Sequence, residues 1–181
     1  MPLQQLKAQL EYADLAHTPD DGLRYEILDG ELYVTPSPRL THQRVSKRLQ
    51  RQLEAYFEEP GLGEVFNAPV DVVLGRHDVA VPDLVVVTDA TQATERAIEG
   101  SPLLLVEILS PSTARRDRTI KSRRYAEHGV PHYWIVDTVK QTIECYRLNE
   151  RRYELAVSVK ASATLRHPDF AGLSIKLTSL W

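Results

Sequence analysis

The sequence holds a single cysteine, Cys145, among 181 residues, so no disulfide can form within the chain. That fits a reducing compartment, and a cytoplasmic location is the expectation. No apolar run is long enough to cross a bilayer; the longest are strand-sized. No membrane partner is therefore expected. Residues 1–21 lack a basic stretch followed by an apolar one and do not read as a secretory signal. They read instead as a short amphipathic helix and a turn. There is no excess of positive charge. A net charge of -3 argues against passive coating of nucleic acid, whose affinity comes from Lys and Arg releasing counterions. Only a local concentration of basic groups would serve. No repeat, low-complexity tract or linker breaks the chain, so residues 1–181 are expected to form one domain. His17, His42, His77, His128, His132 and His167 show no metal-ligand spacing, which speaks against zinc. Nothing resembles a phosphate-cradling glycine loop or a nucleophile elbow.

What is present is enough apolar material for a core, 43% of residues. Residues 24–34 alternate about Asp29-Gly30, a hairpin signal, because both central positions need positive φ. Pro36 and Pro38 end that hairpin. Residues 39–58 are the clearest helix. Val45, Leu49, Leu53 and Tyr56 recur on one face, and Arg44, Lys47, Arg48 and Arg51 on another. Pro60-Gly61 stops it. Residues 63–74 read as a strand interrupted near Pro69, 75–78 as a turn, and 81–88 as a second strand. Residues 91–100 read as a connecting helix or turn. Residues 103–109 form a strand whose near-continuous apolar character implies burial on both faces. A helix at 115–128 ends at Gly129 and Pro131, and 132–136 is another strand. Residues 141–148 and 153–159 form a hairpin joined at Asn149-Glu150. Residues 165–181 hold one or two further strand pieces. The order over 39–137 is helix, three strands, helix, strand. That predicts an α/β (α+β) fold: a mixed sheet flanked by helices, antiparallel where connections are short.

Glu107 lies inside Leu103-Leu104-Leu105-Val106-Glu107-Ile108-Leu109. A carboxylate there costs several kcal/mol unless it is paired or binds a metal. An exposed strand end is the plainer alternative. Asp83 precedes its own apolar run, and two acids at matching ends of adjacent strands can converge on one hard cation. Asp117, Lys121 and Tyr125 share one helical face. Locally, Asp117 and Lys121 read as a surface ion pair. His42 reads as a core or surface residue, with a place in the cleft lining as its alternative; Cys145 reads as a half-buried structural thiol, and Tyr133 and Trp134 as core.

Pro82-Asp83 followed by Glu107-Ile108-Leu109, in this element order, resembles the PD-(D/E)XK nuclease signature. Further segments are similar to the Uma-two endonuclease family within that superfamily. They are Tyr25-Glu26-Ile27-Leu28-Asp29-Gly30-Glu31-Leu32, Pro82-Asp83-Leu84, Val106 to Ser112, and Asp117, Lys121, Tyr125, Gly129-Val130 and Tyr133 to Asp137. The resemblance spans roughly residues 20–150. It implies a restriction-endonuclease-like core over about 39–137, with an N-terminal hairpin and C-terminal strands outside it. It implies metal-assisted hydrolysis of DNA phosphodiesters. Mg²⁺, or Mn²⁺, would sit on Asp83, Glu107 and the Ile108 carbonyl. Leu109 stands where the signature has lysine, and the resemblance implies that Lys121 supplies that group from the neighbouring helix. Glu26 resembles a further site residue, with a polar hairpin position as its alternative. Arg44, Lys47, Arg48 and Arg51, and Arg115, Arg116 and Arg118, would track phosphates, or form solvated helix faces. The hairpin and C-terminal strands would supply a homodimer interface. Two other readings stay open: a nucleic-acid-binding protein that has lost catalysis, and an interaction protein whose acids only pair with arginines.

Overall fold

The computed structural model describes residues 9–181. Its first element is a 3-10 turn at Tyr12–His17, not the amphipathic α-helix expected near the start; the rest of that expectation lies outside the described residues. Strands β1 (Arg24–Leu28) and β2 (Glu31–Thr35) form the predicted hairpin. Asp29 and Gly30 have φ of 56° and 73°, the left-handed pair that a two-residue turn between twisted strands requires. Helix α1 (Leu40–Phe57) buries His42, Val45, Leu49, Leu53 and Phe57. Phe57 completes this stripe instead of Tyr56, whose hydroxyl reaches the Ala171 carbonyl at 2.9 Å. Truncating Leu49 or Leu53, both fully buried, should cost about 2–5 kcal/mol.

The expected single strand over 63–74 is two strands in different sheets, β3 (Glu64–Asn67) and β4 (Val72–Gly75), separated at Pro69. Asp78, expected in a turn, opens β5 (Asp78–Ala80), and β6 (Leu84–Val87) follows. Residues 91–100 hold no long helix; a 3-10 turn at Ala90–Gln92 leads to β7 (Ile98–Glu99). Then come β8 (Leu104–Ile108) and a helix α2 (114–127) whose middle turn, Asp117–Lys121, is π-helical. The chain continues through β9 (His132–Asp137), β10 (Thr142–Asn149), β11 (Arg152–Lys160), β12 (Thr164–Arg166) and β13 (Ser174–Lys176).

The main sheet runs β11-β10-β9-β8-β6-β3, and a second sheet runs β2-β1-β5-β4-β7. In the main sheet the order is α1, β3, β6, β8, α2, β9, as the sequence predicts; β4, β5 and β7 depart to the second sheet. The pair β8–β9 is parallel because α2 carries the chain back across, while β3–β6, β6–β8 and β9–β10 are antiparallel. The fold is thus mixed α+β.

Strand β8 is buried on both faces. Leu104, Val106 and Ile108 join one apolar cluster with α1 and the C-terminal residues Leu165, Ile175, Leu177 and Leu180. Leu105 and Leu109 join another with α2 residues and the second sheet. The C-terminal strands are therefore spent on the chain's own core. Cys145, Tyr133 and Trp134 are fully buried, so the thiol is deeper than the half-buried position expected. Among the described residues no helix is long and apolar enough to cross a membrane.

Candidate active site

Strands β6 and β8 pair with Leu84 opposite Val106 and Val85 opposite Leu105. One further step along that register sets Asp83 against Glu107. Asp83 and Glu107 each lie two residues from members of the same apolar cluster, Val85 and Leu105, so both project to the same side of the sheet. The ladder loosens here. The Asp83 N–H donates to the Val106 carbonyl at 3.1 Å, and Asp83 Oδ2 accepts the Ile108 N–H at 2.8 Å. Both acids are buried, each 4% exposed, which discards the exposed-strand alternative for Glu107.

Lys121 is 2% exposed and points inward, not into a surface pair. Its Nζ lies 2.6 Å from Glu26 Oε1 and 2.8 Å from Glu107 Oε1; Asp117 Oδ1 is more distant, at 3.9 Å. Tyr125, one turn on, donates its hydroxyl to Glu107 Oε1 at 2.8 Å. Within the π turn the Asp117 carbonyl accepts the Tyr133 hydroxyl at 3.0 Å. Such turns recur at functional sites because they re-aim side chains within a helix. Glu26 is fixed in turn: Oε1 accepts the Val81 N–H at 2.9 Å, and Oε2 lies 3.4 Å from Arg116.

Two groups that the sequence did not mark, or marked otherwise, complete the site. Arg24 Nη1 meets Asp83 Oδ1 at 2.9 Å, and His42 Nε2 meets Asp83 Oδ2 at 3.0 Å. Of the two readings of His42, the structure supports the cleft-lining alternative over the core-or-surface one. Arg24 was legible, since it alternates with Glu26 on one strand and so shares its face. Arg39 and Lys140 also line the cleft, whose volume is about 540 Å³, and no sequence pattern announced them. Asp83, Glu107, Ile108, Lys121 and Glu26 all line this cleft.

The basic candidates separate. Arg116 forms part of the cleft wall, with its guanidinium donating to the Thr35 hydroxyl and lying 5.3 Å from the Tyr33 ring centre. Arg118 turns away to Glu144 at 2.5 Å, and Arg115 is exposed. Arg44, Lys47, Arg48 and Arg51 lie on the exposed face of α1, outside the cleft lining. Arg48 also donates to the carbonyls of Leu180 at 3.1 Å and Trp181 at 2.5 Å.

Five carboxylates, Glu26, Asp83, Glu107, Asp117 and Asp137, share the cleft lining with five permanent cations, Arg24, Arg39, Arg116, Lys121 and Lys140. Burial pushes Glu107 up to about 8, and the charges of Asp117, Asp83 and Glu26 add to that against the pull of Lys121. Burial would strip Lys121 of its proton, but Glu107, Glu26 and Asp117 outweigh it and hold the ammonium charged. Burial also opposes the ionised form of Asp83, yet the His42 contact, the charge of Arg24 and the Ile108 N–H hold this carboxyl below its usual range. Asp117 has Thr113 and Lys121 as favourable neighbours, but neither buried oxygen makes a hydrogen bond of ordinary geometry. An all-oxygen donor set and two orphaned carboxylate oxygens on Asp117 fit a hard divalent cation.

The family model Uma2, described as a putative restriction endonuclease, matches residues 10–178. An uncharacterized protein of Synechocystis sp. is 28% identical over 144 residues, covering 78% of this chain and 75% of its own. A crystal structure of a putative nuclease belonging to DUF820 from Anabaena variabilis superposes with a TM-score of 0.77 at 20% identity, covering 94% of this chain and 97% of that one. At that identity the likeness establishes the shared fold.

Proposed function

Because the chain belongs to the Uma2 family of putative restriction endonucleases, we propose that its cleft hydrolyses phosphodiester bonds in DNA with a divalent metal ion. The observation that carries this reading is the buried Lys121 ammonium between Glu26 and Glu107, in the cleft that also holds Asp83. Asp83, Glu107 and the Ile108 carbonyl would hold Mg²⁺ or Mn²⁺. When bound, such an ion polarises a phosphate and lowers the pKa of its water. Lys121 keeps a fixed positive charge where negative charge builds on phosphate oxygens. Glu26 anchors Lys121, and Tyr125 anchors Glu107. Arg115 and the exposed α1 stripe would contact the backbone outside the cleft. A homodimer would use the β1–β2 hairpin, whose edge strand leaves Leu32 and Val34 exposed.

One observation favours a second reading, a DNA-binding protein without catalysis. Both oxygens of Asp83 are already engaged, by Arg24, His42 and the Ile108 N–H. An ion at Asp83 has to share or displace one of these contacts. A cleavage assay with Mg²⁺ and Mn²⁺ on single-stranded, linear duplex and supercoiled DNA separates the two. Metal-dependent cleavage, lost in Asp83→Ala and Glu107→Ala, is the expected result. DNA binding without cleavage or Mn²⁺ uptake supports the second reading, and equal cleavage by both variants contradicts the first.

A further inference from the structure

We propose a second metal site, for a borderline transition ion such as Zn²⁺, formed by His132, His167 and Asp169. These residues are separated in sequence by up to 37 positions, and only the fold brings them together. One ring nitrogen from each histidine and one Asp169 oxygen lie within 4.8 Å of one another. His132 opens β9, and His167 and Asp169 sit in the turn between β12 and β13.

The imidazoles are placed for ligation but otherwise poorly satisfied. His132 is 8% exposed and His167 5%. His132 Nδ1 and His167 Nε2 are buried without any hydrogen-bond partner. Buried polar atoms are rarely left so, and an orphaned pair beside a carboxylate is where an ion would satisfy both. The rings are held by packing: His167 stacks on Phe170 at 4.4 Å and on Trp134 at 5.5 Å, and His132 packs on Phe170 at 4.6 Å. Burial disfavours the protonated form of each ring, so neutral imidazoles are available as ligands. His167 Nδ1 accepts the Asp169 N–H at 3.1 Å. Coordination through Nε2 moves the ring proton to Nδ1 and releases that N–H to solvent in an exposed turn. Arg147 pairs with Asp169 Oδ1 at 3.0 Å; the other carboxylate oxygen then faces the ion, or the half-exposed arginine swings away.

Two imidazoles and one carboxylate select Zn²⁺, Co²⁺ or Ni²⁺ over Mg²⁺. The site is distinct from the carboxylate cleft. His132 pairs with Leu104 at one end of β8, whereas Glu107 pairs with Ile135 three residues further, about 10 Å along the strand. His132 also alternates with Trp134 onto the α1 side of the sheet, opposite to Glu107. An ion here would pin the β12–β13 turn onto β9.

Equilibrium dialysis of the full chain against Zn²⁺ with excess Mg²⁺ tests this, read together with thermal unfolding. The expected result is one Zn²⁺ per chain, retained in an Asp83→Asn/Glu107→Gln double variant and raising the melting temperature. His167→Gln should abolish it. Asp169→Asn, at an exposed position that does not threaten folding, should weaken it by about tenfold or more. No Zn²⁺ uptake, uptake that vanishes with the cleft variant, or uptake unchanged in both His167→Gln and Asp169→Asn would overturn the proposal.

Discussion

The two basic stretches of this chain look alike in sequence and end in opposite surroundings. On α1, Arg44, Lys47, Arg48 and Arg51 face solvent. On α2, part of the charge is drawn inward, Arg116 to Glu26, Lys121 to Glu26 and Glu107, and Arg124 to Asp78, while Arg115 and Arg123 stay exposed. The difference lies in what the fold places opposite each helix. Beyond His42, which meets Asp83, the inner face of α1 packs into an apolar cluster, so the cations of the stripe point out. α2 crosses above β1, β5 and β8, each of which offers an acid. A run of arginines therefore has no fixed meaning until the acids that surround it are known.

The comparison breaks if the buried and exposed cations prove equally dispensable. Lys121→Met leaves Glu26, Glu107 and Asp117 buried without their shared ammonium. Its expected cost is about 3–5 kcal/mol in urea unfolding, together with loss of cleavage. Lys47→Met on α1 should stay within about 0.5 kcal/mol of the parent. Equal stability of the two variants would remove the distinction.

Asp78 gives a smaller effect and a pH test. Burial opposes its ionised form, but hydrogen bonds from Arg124, His128 and the Asp29 N–H outweigh that and hold its carboxyl well below the ordinary 3.8. A depressed acid contributes stability that is complete above its unfolded value and lost as pH falls toward its folded one. Asp78→Asn should therefore cost about 1.5–3 kcal/mol at neutral pH, with the gap closing on acidification below 3.8. A gap that widens in acid would contradict the assigned pairing.

Tyr125→Phe removes only the hydroxyl that meets Glu107. About 1 kcal/mol of stability and a partial loss of cleavage are expected, read by unfolding and by single-turnover rates. An unchanged rate would leave Tyr125 a packing residue. The smallest effect on stability belongs to Arg44→Glu/Lys47→Glu/Arg51→Glu, which should fold as the parent does. DNA affinity in a salt titration sharpens the contrast here. The slope should fall by about one for each phosphate contact removed. An unaltered slope would make the stripe a plain solvated face.

Much of the site was legible because its members obey short-range rules. Glu107 stands out in an apolar run, Asp83 follows from the antiparallel register, and Lys121 shares a face with Tyr125. Lys121 nevertheless read locally as a surface partner of Asp117; only burial against Glu26 reverses that. What stayed hidden depends on contacts between distant segments. The split of β3 from β4 assigns strands to two sheets, and no local alternation distinguishes that from one interrupted strand. That His42 meets Asp83 was open only as the lesser alternative, because α1 and β6 lie far apart in sequence. His132 and His167 meet only after the C-terminal turn folds back onto β9, so spacing rules for metal ligands could not find them.

The proposed hydrolysis requires Asp83 and Glu107 to grip one ion. A crystal soaked in Mn²⁺ and measured at the manganese edge tests this most directly. The predicted result is an anomalous peak in the cleft, about 2.0–2.3 Å from carboxylate oxygens of both residues and the Ile108 carbonyl, with Arg24 or His42 displaced from Asp83. A cleft without a peak, with Arg24 and His42 still seated on Asp83 at saturating Mn²⁺, would contradict it.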